Sequence, residues 1–250
     1  MFAFIKKEFM ENVRTYRIYI MAAVFFLIGI MNPLTALLLP RLLETMDLGP
    51  MQIALPDATA FDSWAQFFSN ISMGMFAFAI SFAGIIANEL SRGTLVNLLT
   101  KGLKRSSVIW AKFISSSIMW TISYLICLGI TWVYTVFYWP GEQLHHAAVS
   151  FFAPWLFGVL IIALLIFGGV LLGIFTGSLM FTGGVMVILN LLQIIPDFRR
   201  FNPATLISGT FNLLNGNASL TDFAPALIIS SVAAIAIIVL SVMVFNKKKI

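Results

Sequence analysis

The sequence predicts an all-α membrane protein built from six transmembrane helices, and three observations carry that prediction. Of 250 residues, 60% are hydrophobic and only 10% are charged, with a mean hydropathy of +0.98. Soluble domains sit near ~45–50% apolar and ~25% charged. Six stretches also approach the ~20 apolar residues that a helix needs to cross a hydrocarbon core. Finally, Lys and Arg collect on one side of a chain threaded through those stretches.

The predicted spans are 18–39, 67–87, 108–137, 149–175, 179–195 and 224–245, and the whole chain, 1–250, is read as one transmembrane domain. Asn32-Pro33 is expected to interrupt and kink the first span, because proline lacks an N–H and its ring crowds the preceding turn. Only Thr176-Gly177-Ser178 separates the fourth span from the fifth, which reads as a tight turn between antiparallel neighbours. Pro40–Gln66 carries three prolines and four acids and reads as a short interfacial helix and loop. Within 196–223, the apolar piece Leu206–Leu214 is too short to span; it is expected as a re-entrant or interfacial element before the sixth span.

Orientation follows from basic residues. With the N-terminus in the cytoplasm, the inner segments hold twelve Lys and Arg against three acids, and the outer segments hold three against seven. Both termini are therefore expected to be cytoplasmic, in a multi-pass protein of the cell membrane. The pI near 9.5 is explained by this asymmetry and by contact with anionic lipid, so no nucleic-acid partner is expected. The first apolar run is too long for a signal-peptide core and lacks small residues at a cleavage site, so it is expected to stay as an anchor. Cys127 is the only cysteine and reads as a packing residue.

Ahead of the first span, Phe2, Ile5, Phe9, Val13 and Tyr16 recur at helical spacing, with Lys7, Glu11 and Arg14 on another side. This predicts an amphipathic helix in the inner membrane interface, one that is also able to pack on a partner protein.

Absences narrow the function. The predicted spans hold no Asp, Glu, His or Arg, and only Lys112 near an inner end. Ion-coupled carriers place ionisable groups at such depth. His145 and His146 are adjacent and share their loop only with Glu142, a poor metal set. No G-x-x-x-x-G-K-[ST] loop is present, so ATP, if used, binds another chain. No catalytic, cofactor or metal residue is assigned. Gly169, Gly173 and Gly177 recur every four residues and are read as one face for close helix packing, within the chain or between subunits. Asn190 and Gln193 are read as interhelical hydrogen-bond partners, with a substrate path as the other reading.

The most polar internal stretch, 88–107, falls on the cytoplasmic side. Leu95, Leu98 and Leu99 follow helical spacing, Asn97, Thr100 and Lys101 face away, and Gly102 is a helix stop. One reading is an interfacial helix on lipid headgroups; the other is a docking knob for a cytoplasmic partner. Glu89 and Arg92 stand at i and i+3, placed to pair with each other or with that partner.

"NELSRGTLVNLLTKGLKRSSVIWAKF" resembles the Glu-x-x-Arg-Gly-Thr-Leu-x-x-Leu-Leu pattern of the type-2 ABC exporter permeases. The matching positions are Glu89, Arg92, Gly93, Thr94, Leu95, Leu98 and Leu99, followed by Arg105 and Lys112. "FIKKEFMENVRTYRIYIMAAVFFLIGIMNPLTALLLP" is similar to the family's interfacial helix and first span, with Lys6, Lys7, Glu8 and Arg14 in the helix. Many members carry a proline before the basic residue that follows the motif, where this chain has Lys101-Gly102-Leu103-Lys104-Arg105.

The resemblance implies that the helix between spans two and three is a coupling helix docked in a groove of an ATP-binding-cassette subunit, which the N-terminal helix also contacts. It implies two such subunits carrying ATP and Mg, and a second permease chain, identical or related. The expected function is ATP-driven export of a hydrophobic or amphipathic substrate, with no cofactor on this chain. Other readings are a permease-like subunit of a mechanical or sensory complex, a secondary carrier and a scaffold.

Overall fold

Lipid offers no hydrogen bonds, so an apolar run satisfies its backbone by coiling into a helix. The protein, as a computed structural model, is described for residues 2–45, 57–95, 100, 102 and 104–248. Its helices are α1 (Phe2–Arg14), α2 (Arg17–Thr45), α3 (Ala60–Phe82), α4 (Gly84–Ser91), α5 (Arg105–Tyr138), α6 (Ala147–Leu172), α7 (Phe175–Leu192), α8 (Pro196–Arg199), α9 (Thr205–Ser208), α10 (Thr210–Leu214) and α11 (Leu220–Lys247). Among the described residues there is no strand, and six helical stretches are long and apolar enough to cross a membrane. Ala83 stays in the right-handed region between α3 and α4, so the two form one rod, Ala60–Ser91.

The fourth span, α6, is the axis. Its most apolar window is 72% buried, against 17% for α7 and 22% for α11. Helices α3, α5, α7 and α11 and the short α9 and α10 all pack on it. Close approach to α5 happens at Gly158, where an added Cβ would land inside the Trp120 ring. That indole donates from Nε1 to the Trp155 carbonyl at 3.0 Å, and Tyr124 donates its hydroxyl to the Phe151 carbonyl at 2.6 Å.

Proline does not interrupt the first span. Helix α2 runs through Pro33 and Pro40 to Thr45. Pro33 leaves the Gly29 carbonyl without its helical N–H, and the Thr131 hydroxyl of α5 donates to that carbonyl at 3.1 Å. Asn32 donates to Thr131 Oγ1 at 2.9 Å, and Asn70 of α3 donates to Asn32 Oδ1 at 2.9 Å. Three helices thus share one buried polar chain.

Other boundaries differ from expectation. The interfacial helix expected in 40–66 falls on 46–56, outside the described residues; on either side of them α2 extends to Thr45 and α3 begins at Ala60. Its start is capped by Asp62 on Thr59 and by Glu142, which accepts from the Ala60 N–H at 3.0 Å. The turn after α6 falls at Gly173-Ile174 rather than at 176–178, because Gly173 takes φ +74, a left-handed helix end. Gly169, Gly173 and Gly177 therefore do not share one helix face. Gly169 lies against Ala87, Gly173 ends α6, and Gly177 packs in α7, where an added Cβ would stand 2.8 Å from Leu172. The apolar piece before the last span folds back on the bundle as α9 and α10, with Leu206, Leu213 and Leu214 fully buried.

Replacing Gly158 by Ala is expected to cost about 1–3 kcal/mol by overpacking against Trp120. Gly183→Ala, where an added Cβ meets nothing within 4 Å, is expected to be neutral or stabilising, by up to about 1 kcal/mol. Thermal unfolding of the two variants in the same detergent ranks them.

Candidate functional site

At the end of the bundle that holds both termini, α1 lies across α5. The face of α1 that meets α5 is Phe4, Glu8 and Asn12, one residue per turn, all buried. Tyr16 of the expected apolar face is 68% exposed, while Ile5 and Phe9 pack at the edge of the core. Asn12 donates to Ser115 Oγ of α5 at 3.3 Å.

One turn from Ser115 sits Lys112, only 1% exposed. Its ammonium donates to Glu8 Oε2 at 3.0 Å and lies 3.0 Å from Glu89 Oε2 on α4. The Glu89 contact is one of charge, off the direction of a hydrogen bond. Three segments far apart in sequence, α1, α4 and α5, therefore meet on one buried cation. Lys7 closes the cluster from outside, 3.0 Å from Glu8, 2.8 Å from Glu11 and 3.5 Å from Glu89.

The charges of Lys7 and Glu11 reinforce each other. Burial opposes the Lys7 charge, but Glu11, Glu8 and Glu89 outweigh it and hold the ammonium well above its ordinary value. Burial likewise opposes the Glu11 charge, and the Lys7 hydrogen bond and charge, with Lys112 and Arg17, hold that carboxyl below its ordinary range. A cavity of about 360 Å³ borders the cluster, with Asn88, Arg92 and Thr94 on its wall. The carboxylates of Glu8, Glu11 and Glu89 approach within 4.8 Å of one another, a spacing that suits a cation, and Lys7 and Lys112 place two ammonium groups among them.

The motif residues divide by direction. Glu89 turns inward to Lys112 instead of pairing with Arg92. Leu95 is fully buried in the core. Ser91, Arg92 and Thr94 are exposed, and Arg92 has no ion-pair partner among the described residues. Gly93 takes φ +66 with open space around it, and Thr94 donates to the Glu89 carbonyl at 3.3 Å, so the chain turns sharply here. Gly102, the expected stop, also lies in the left-handed region at φ +88. Leu98, Leu99 and Lys101 fall outside the described residues. On α1, Lys6 and Arg14 are exposed and point away from the cluster.

A family model described as "ABC-2 family transporter protein" matches residues 2–250. The chain belongs to that family. No curated protein matches it. An ABC-2 protein of this kind is the membrane-spanning permease of an ABC transporter and works with an ATP-binding-cassette subunit. In this family member, the stretch that carried the sequence resemblance coincides with the Glu89–Leu95 turn beside Lys112.

Sequence reading missed Glu8 as the inward partner of Lys112. The signal was the Phe4, Glu8, Asn12 spacing, which the more apolar neighbouring stripe outweighed. Asn190 also differs from expectation: its amide donates to the Met186 carbonyl of its own helix at 2.8 Å. Gln193 does reach another element, donating to Ser208 Oγ at 2.9 Å.

Lys112→Met keeps the stem and deletes the charge, leaving Glu8 and Glu89 buried without it. The expected loss is about 3–5 kcal/mol. Lys7→Ala breaks half-exposed pairs and is expected to cost about 0–1 kcal/mol. Detergent-phase unfolding of both variants measures the difference. The pH dependence has a definite sign. Glu11's contribution is complete above its ordinary 4.5 and fades as pH falls through its depressed value. Lys7's is complete below its ordinary 10.5 and fades as pH rises through its raised value. Unfolding midpoints of Lys7→Ala and the parent are therefore expected to differ by a constant amount from about pH 6 to 9.

Proposed function

We propose that this permease drives export when ATP-binding-cassette subunits dock from the cytoplasm on the turn after α4 and on α1. Two such subunits bind ATP and Mg, and a second permease chain, identical or related, completes the membrane part. This chain binds no nucleotide itself. Both termini lie in the cytoplasm of a cell-membrane protein, as the basic excess at that end favours.

The observation that carries the reading is the shared cation. A push on Arg92 and its neighbours moves α4, and α4 continues upward as the rod through α3. The same push reaches α5 and α1 through Lys112, because separating Glu89 or Glu8 from it exposes unpaired charge in a dry place. The docking residues are then Arg92, Gly93, Thr94, Leu98 and Leu99, with Lys6 and Arg14 on the outer side of α1. Glu89 and Leu95 hold the turn in place from inside. A partner that contacts two closure states differently biases the spans between two arrangements. Cargo of hydrophobic or amphipathic character suits spans whose acids, Asp62, Glu89 and Asp222, lie only near their ends.

Arg92→Glu is expected to abolish co-purification with the ATPase subunit, or its stimulation by the permease, while membrane insertion and the unfolding midpoint stay at parent level. Lys112→Met is expected to preserve co-purification and weaken stimulation, because it lies behind the docking surface. Parent-level stimulation in Arg92→Glu would remove the docking role of this turn.

A further inference from the structure

The cavity of about 360 Å³ beside the charged cluster is lined by two guanidinium groups that the cluster does not use. Arg17 opens the first span, and Arg92 follows the last residue of the rod Ala60–Ser91. Among the described residues neither makes an ion pair or a side-chain hydrogen bond. Arg17 lies over the Phe82 ring at 5.9 Å and supports the Glu11 charge from beyond ion-pair reach. Asn88, one turn before Arg92, also lines the cavity, and its amide has no hydrogen-bond partner among the described residues.

Every carboxylate on the wall is already paired. Glu8 and Glu89 each meet both Lys7 and Lys112, and Glu11 meets Lys7. Taken together, the lining carries four cations, Lys7, Arg17, Arg92 and Lys112, against three carboxylates, which leaves one positive charge. That charge stands at headgroup depth, because a residue that opens or ends a span lies where hydrocarbon gives way to phosphate. Tyr16 and Tyr19, both exposed with ring centroids 6.2 Å apart, flank Arg17, as amphipathic rings do at that level. Beyond Arg17 the same face of α2 turns apolar. Ile20, Leu27 and Met31 follow it at i+3, i+10 and i+14, and all are exposed. From Arg17 to Leu27 the helix rises about 15 Å at ~1.5 Å per residue, the hydrocarbon depth of one leaflet.

We infer that this cavity holds the phosphodiester head of an anionic phospholipid from the leaflet on the side of both termini, with its acyl chains along the Ile20, Leu27 and Met31 face of α2. Arg17 is the principal contact, since a guanidinium meets a phosphate through two parallel N–H donors, and Asn88 adds a neutral donor from α4. One net negative charge on the lipid matches the one positive charge of the lining. A choline or ethanolamine head would bring a cation among four others. At ~30 Å³ of liquid volume per water the cavity has room for about a dozen waters, more than a lone ion fills and enough for a glycerol beyond the phosphate. The place of Arg17 favours a lipid over a carboxylate of a docked protein, because the span leaves hydrocarbon at this residue, between two exposed tyrosines. Arg92, exposed in the turn after α4, adds to the field and stays free for a docked subunit. The inference therefore goes beyond the exporter reading and does not need it.

A lipid count tests it. The full chain is placed in nanodiscs of equal parts phosphatidylglycerol and phosphatidylcholine and extracted into mild detergent, and its retained lipids are counted by native mass spectrometry. A phosphatidylglycerol is expected to survive extraction on each chain. Arg17→Gln is expected to lower its retention about tenfold, and Asn88→Leu, which leaves every charge in place, about threefold. Arg14→Gln, an exposed neighbour outside the cavity, is expected to stay within about twofold of the parent. Added phosphatidylglycerol is expected to raise the unfolding midpoint of the parent and to leave that of Arg17→Gln unmoved.

Equal retention in Arg17→Gln and Arg14→Gln would overturn the inference. So would phosphatidylcholine retained as strongly as phosphatidylglycerol, or displacement of the lipid by inorganic phosphate, which would make the cavity a site for a free ion. A carbodiimide cross-link from Arg17→Lys to a carboxylate of a co-purified ATPase subunit would give the cavity to that subunit and overturn it as well. The lipid count itself uses no nucleotide and no ATPase subunit. An unchanged count in Arg17→Gln beside an uncoupled Arg92→Glu would therefore sink the lipid site and leave the exporter reading standing; a lost lipid in Arg17→Gln beside a fully coupled Arg92→Glu would do the reverse.

Discussion

Lys112 brings an ammonium group to a place that water hardly reaches, and Glu8 and Glu89 meet it there at 3.0 Å each. Desolvating these charges is costly, and hydrophobic side chains of similar size would often be as stable or more so. What the ions add is specificity. Leucine in place of Lys112 would tolerate α1 at many angles and α4 at many depths. A buried cation accepts only arrangements that present both carboxylates. The helix before the first span and the helix after the second are thereby tied to the start of the third, and the exposed turn at Arg92–Thr94 is held in a fixed relation to all of them. Lys7 adds a solvent-side closure that strengthens the field without being essential to the geometry.

The same end of the bundle is fastened by two further cations. Helix C-termini leave carbonyls without partners and carry partial negative charge. Arg105, at the start of α5, donates to the carbonyls of Phe245 at 3.0 Å and Lys248 at 2.6 Å. Lys248 in turn donates to the Val170 carbonyl at the end of α6 at 2.6 Å. Three spans are thus joined in series, α5 to α11 to α6. The opposite end uses mostly neutral ties, Ser63 with Thr135 at 2.7 Å and His145 N–H on the Leu214 carbonyl at 2.9 Å, beside the Glu142 carboxylate on the Ala60 N–H. Helix α7 is the least embedded span: only Gly177, Ser178 and Thr182 are buried, and Leu179, Phe181, Val185 and Met186 pack partly buried against the core. The bundle is thus tied by charge at the end that holds both termini and least embedded along α7.

Between these ends, Asn32, Thr131 and Asn70 form a mid-span polar chain that exists because of Pro33. The proline removes one helical hydrogen bond, and the exposed carbonyl would be expensive in lipid. Thr131 supplies the missing donor, Asn32 donates to Thr131, and Asn70 donates to Asn32 in turn. The helix continues where an isolated sequence reading expects a break.

By itself the sequence determined what depends on composition and period: six apolar helices, a helical N-terminal segment, the polar turn after the second span, and the family motif in that turn. Water and lipid enforce these locally, since each apolar run must satisfy its own backbone. Tertiary structure decided what depends on which residues meet. Nothing local turns Glu89 inward and leaves Arg92 outside; that follows from Lys112, more than twenty residues later, and from Glu8, eighty residues earlier. The turn shifted to Gly173 because a left-handed helix end is set by backbone geometry, whereas glycine spacing alone suggested a stripe. The cavity between α3, α6 and α7 was invisible for the same reason. Met, Phe and Gly read alike whether they face lipid or each other, and only the packing of α3, α6 and α7 leaves a space of about 410 Å³ between them.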